Sequence, residues 1–158
     1  MIFSWLHILA LAVYLGCLIG LYLLLVPGLP PHRNEKQRIE LLSRVLRIYN
    51  PVQIGALGLL VLTGAYRITD LKAVHRDLFH HFLGATLEIK LALAFIIIIL
   101  STYQCMGVAH PFVRESEDGE GLGADRLQSV THRLRLLTVL LFFLTLIAVF
   151  VGTKMRHW

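Results

Sequence analysis

Two side chains in this sequence stand where hydrocarbon would reject them. His7 lies inside the first apolar stretch and Lys90 inside the third. A basic or coordinating group within a membrane span costs several kcal/mol by most scales, so it usually faces a bundle interior and acts there. The chemistry these types permit is cofactor binding. A haem held in a membrane needs an imidazole at iron and basic or hydrogen-bonding groups for its two propionates. His7 can supply the imidazole, and Arg67 and Lys90 the propionate contacts. A second axial ligand would be His80 or His81, in the loop after the second stretch, where His75 also lies. The plain alternatives are an interfacial histidine beside Trp5, a lysine snorkelling to the headgroups, and loop histidines in solvent. A second set, Gln104, Cys105, Met106, His110 and His132, offers soft ligands suited to copper, but its spacing matches no defined site. Gln53, Gln104 and Arg135 are the types that hydrogen-bond a quinone headgroup or line a proton path.

The elements that must position these residues follow from composition. The chain has 158 residues, 56% hydrophobic and 16% charged. Its mean hydropathy of +0.69 is too apolar for an ordinary soluble domain. Four segments contain no Asp, Glu, Lys or Arg: the N-terminus to His32, Ile48 to Tyr66, Leu91 to Val113, and Leu136 to Thr153. Each can supply the roughly 20 residues that cross a hydrocarbon core of about 30 Å. The expected fold is all-α: one integral membrane domain over residues 1–158, an antiparallel four-helix bundle. Its spans fall at about 3–26, 51–67, 83–106 and 134–153. The first stretch lacks a basic leader and a small-residue cleavage site, so it is expected to be retained and not removed as a signal peptide.

The net charge of +5 does not point to nucleic acid, because most basic residues flank the spans. Nine of the 15 fall after the first and third spans (Arg33, Lys36, Arg38, Arg44, Arg47, Arg114, Arg126, Arg133 and Arg135) and five on the opposite side, with Lys90 inside. Both termini are therefore expected outside the cytoplasm, in a bacterial inner or comparable cell membrane. The two cysteines form no CxxC and read as small apolar side chains.

Along the chain, Phe3, His7, Leu11, Tyr14 and Leu18 share one face of the first span, with the Gly16/Gly20 pair on another. The segment before Pro51 reads as an amphipathic helix, either resting on the membrane surface or extending the second span. Gly55, Gly58 and Gly64 leave room beside the second span for a helix or a flat cofactor. In the third span Thr86, Lys90, Ala94, Ser101 and Gln104 form a polar stripe, and in the fourth Thr131, Arg135, Thr138, Thr145 and Gly152 align. The acidic, Gly-rich run from Arg114 to Arg126 reads as a mobile loop. No nucleophile elbow, phosphate-binding glycine loop, zinc-protease helix or dinucleotide fingerprint is present.

The opening WLHILALAVYLGCLIGLYLLLVP resembles the first helix of CopD-like proteins and of the related HemJ-type membrane protoporphyrinogen oxidases. TGAYR at the end of the second span and IKLAL in the third are similar to the same superfamily. The resemblance implies a small haem b-binding membrane bundle, with His7 at the family's first-helix histidine and Lys90 at its third-helix lysine. The chain departs from HemJ-type proteins in lacking their charged C-terminal tail and in having Tyr14 where tryptophan is usual.

The expected function is electron transfer by a haem b-binding membrane protein, a subunit or partner of a respiratory complex with quinone as a candidate reactant. The alternatives are a HemJ-like porphyrinogen oxidase, CopD-like copper transport through Cys105, Met106 and His110, and a structural membrane subunit.

Overall fold

The computed structural model describes residues 2–25, 34–74, 83–118 and 123–154. Five α-helices and one π-helical segment build four membrane-length rods: α1 (Ile2–Leu25), α2 (Glu35–Val74), α3 (Leu83–Thr102) continuing through the π segment Tyr103–Ala109 into α4 (His110–Glu117), and α5 (Ala124–Lys154). The fold is an all-α four-helix bundle. Its outward side chains are apolar, with Leu62 70%, Phe95 64% and Phe150 69% exposed, a surface stable against lipid and not against water.

Side-chain pairs set the register. His7 meets Thr63, and Tyr49 lies against Gly20, so α1 and α2 run antiparallel. Ser43 meets Ser116 and Gln53 meets Gln104, which runs the third rod against α2. Gln104 meets Thr138 and Lys90 reaches Gly152, which runs α5 against the third rod. α1 packs chiefly on α2 and α5, and α3 on α5. Thus α1 and α3 are parallel and diagonal, bridged by the Tyr14–Ser101 hydrogen bond of 2.5 Å.

Three rods are longer than their uncharged runs imply. α2 is one 40-residue helix with Pro51 inside it, about 60 Å long, twice the hydrocarbon thickness. The expected start at Pro51 is therefore corrected, and the amphipathic segment extends the second span. Proline removes one helical donor and crowds the carbonyl four residues back. Leu42 and Leu46 before it and Gln53, Ala56 and Leu57 after it are buried on one face, and that packing carries the helix through. The third rod reaches Glu117 and α5 begins at Ala124, so most of the expected acidic loop is helical. Arg126, Arg133 and Arg135 sit on exposed faces of α5 while Leu127, Val130 and Leu134 keep its buried stripe going.

Two apolar clusters fill the interior. One, toward the arginine-rich end, joins Leu21, Leu25, Leu42, Leu46, Val108, Phe112, Leu127, Val130 and Leu134. The other, nearer the end bearing both termini, joins Tyr14, Leu18, Ala56, Leu57, Ile97 and Leu141. Neither includes His7, Thr63 or Lys90.

Candidate functional site

His7 lies two turns into α1 and is half-buried. Its Nδ1 stands 2.7 Å from the Thr63 hydroxyl oxygen on α2. That hydroxyl is itself buried and donates to the carbonyl of Leu59 at 2.6 Å, one turn back. Because its proton is committed there, the Thr63 oxygen acts as acceptor toward the ring and Nδ1–H donates. A neutral imidazole held this way has its lone pair on Nε2, the arrangement that metal-ligating histidines adopt. Gly64 lies beside the ring: a Cβ there would lie 3.6 Å from His7 Cε1, an ordinary packing distance.

Lys90 is half-buried on α3 and turns to α5, where a Cβ added at Gly152 would lie 3.0 Å from its Nζ. The lysine runs across the rod-to-rod interface toward the Gly152 backbone. With Tyr14 level with Ser101, the positions of His7 and Lys90 fall roughly 10 and 16 Å toward the termini end, from 1.5 Å per helical residue. They share that end on diagonal helices. Arg67 follows Thr63 by one turn in α2 and so belongs to the same end by backbone position. His75, His80 and His81 lie outside the described residues.

Below this end the interior polar groups are tied together. The Tyr14 hydroxyl, fully buried, bonds Ser101 and has Thr145 and Gln53 within interaction range. The Gln53 amide donates to Gln104 at 3.3 Å, and the Gln104 amide donates to Thr138 at 2.9 Å, all three at 1% exposure. The π segment accounts for part of this. It carries the adjacent residues Gln104 and Cys105, both buried.

The second sequence-derived set does not converge. Cys105 is buried while Met106 is 57% exposed and His110 faces outward, so the three ligands proposed for copper point apart. Arg135 is exposed on α5, away from the buried Gln53–Gln104 pair, which separates the expected quinone-binding trio. Among the described residues no group of three or more His, Cys, Asp or Glu side chains could hold a metal ion. Cys17 and Cys105 are buried free thiols, as their apolar setting in the sequence suggested. The residue that sequence reading missed is Thr63. Only its spacing of one residue from Gly64, in a helix facing His7, could have signalled it.

Compared with family models, with curated proteins and with solved structures, the chain matches none.

Proposed function

We propose that this chain is an integral membrane protein that binds b-type haem through His7 and takes part in electron transfer, as a subunit or partner of a larger respiratory membrane assembly. The observation that carries this reading is the hydrogen-bond chain from His7 Nδ1 through Thr63 to the carbonyl of Leu59, the kind of outer partner that orients a metal-ligating imidazole. Two further features support it. Among the described residues neither apolar core cluster includes His7, Thr63 or Lys90, and Lys90 lies at the same end as His7, where a carboxylate-bearing ligand needs a cation. The donor set fits haem b: a neutral imidazole for the iron, with Lys90 and Arg67 as the cations for the propionates.

When bound, the haem supplies a one-electron ferric–ferrous couple. The chain's own residues do the rest. Thr63 fixes the tautomer and the plane of the imidazole. Gly152 keeps side-chain volume away from the Lys90 ammonium. The apolar surface holds the site within the bilayer, where low dielectric strengthens each polar contact.

The test is a dithionite-reduced minus air-oxidised spectrum of the purified protein and of His7→Ala. The wild type is expected to show the sharp α-band of a b-type haem and the variant to lose it. A colourless wild type from haem-replete cells, or an unchanged band in the variant, would refute the assignment.

A further inference from the structure

The arginine-rich end sorts its charges into two populations. On the part of the bundle that projects past the apolar runs, four arginines pair with carboxylates: Arg44 with Glu40 at 3.0 Å, Arg47 with Glu117 at 3.2 Å, Arg126 with Glu115 at 2.8 Å, and Arg114 with Asp118 more loosely at 3.9 Å. Arg133 and Arg135 take part in no ion pair among the described residues, and both are exposed. Their position separates them from Lys36 and Arg38, which are also without a carboxylate but stand at the far start of α2. Immediately after Arg135 comes the uncharged run Leu136–Thr153, 18 residues and about 27 Å of helix, close to the thickness of the hydrocarbon core. Arg133 and Arg135 therefore lie at headgroup depth. Leu134 between them is fully buried, which turns the two guanidinium groups to opposite flanks of α5, with exposed His132 and Leu136 on its outer side. Two cations at phosphate depth, above a lipid-facing apolar surface, match the charge and layering of an anionic phospholipid.

We propose that the start of the fourth span binds anionic phospholipid on both flanks of α5, Arg133 and Arg135 each holding a headgroup phosphate on its own flank with the acyl chains lying along the helix. Guanidinium forks match phosphate oxygens, and each basic side chain at an anionic surface strengthens association by about fivefold. Arg44, Arg47, Arg114 and Arg126 add little, because each is already paired with a carboxylate.

The test reconstitutes the full-length protein in phosphatidylcholine vesicles containing one fifth phosphatidylglycerol and measures, with spin-labelled lipids, the motionally restricted fraction of each. The expected result is a severalfold preference for phosphatidylglycerol that falls toward one in Arg133→Gln/Arg135→Gln and is retained in Arg44→Gln. The preference should also weaken with rising salt in the wild type, which checks the site without any variant. An equal concentration of inorganic phosphate should leave it unchanged. A wild type with no preference, a preference that survives the double variant, or one abolished by inorganic phosphate would overturn the proposal.

Discussion

Thr63 is the residue on which the candidate site turns, and it acts through His7. Removing its hydroxyl leaves the imidazole free to rotate and to exchange tautomers. On the proposed function, Thr63→Val should therefore weaken haem retention by roughly 10- to 100-fold, the usual cost of losing the outer partner of a ligating histidine. Thr63→Ser, which keeps the hydroxyl, should hold it near the wild-type level. Haem titration of the stripped protein measures both, and equal affinity in the valine variant would remove Thr63 from the site. A different residue-scale constraint sits at Gly20. A Cβ there would stand 2.6 Å from the Tyr49 hydroxyl and 3.0 Å from its ring, so the ring must move out of a packed interface. Gly20→Ala should cost about 1–3 kcal/mol in detergent unfolding, the usual range for overpacking. Gly16, its partner in the glycine pair, faces outward with open space beside it, so Gly16→Ala should be close to neutral.

At the scale of elements, the spans are joined by polar bonds more than by any preference of apolar side chains for one another. Lipid tails are as apolar as leucine, so packing and interhelical hydrogen bonds must do the joining. The Gln53–Gln104–Thr138 chain links α2, the π segment and α5 between the two apolar clusters. Interhelical bonds of this kind average about 0.6 kcal/mol and reach about 1.7 kcal/mol. Gln104→Leu breaks two of them and leaves the Gln53 amide buried without its acceptor, a further cost of about 1–3 kcal/mol. Adding Gln53→Leu removes the stranded group, so the double variant should be less destabilised than the sum of the singles. Thermal unfolding of the four proteins in one detergent gives the cycle. Strict additivity would mean that the two amides do not interact.

At the scale of the whole molecule, the bundle is held at its arginine-rich end by a core that crosses the membrane boundary. Phe112 is fully buried in the cluster that joins α1, α2, the third rod and α5. Phe112→Ala should cost about 3–5 kcal/mol, the range for deleting a buried phenylalanine. The loss should appear as one cooperative unfolding step if the projecting part and the span form a single unit. Two separated transitions would show that they do not.

The sequence by itself determined the class and the number of spans. Four uncharged runs of membrane length, in a chain this apolar, leave only helices that satisfy their own backbone within lipid. It also singled out His7 and Lys90, because a polar group in an apolar run is visible without coordinates. Only the tertiary structure decided where the rods end, since charges on one exposed face of α5 or α2 do not stop a helix whose opposite face is packed. It decided equally that Thr63 is the partner of His7, that Met106 and His110 turn away from Cys105, and that Arg135 stands apart from the glutamine pair. Each of those depends on helix rotation and on register between rods. A linear pattern leaves both open, because several rotations bury nearly the same number of apolar side chains.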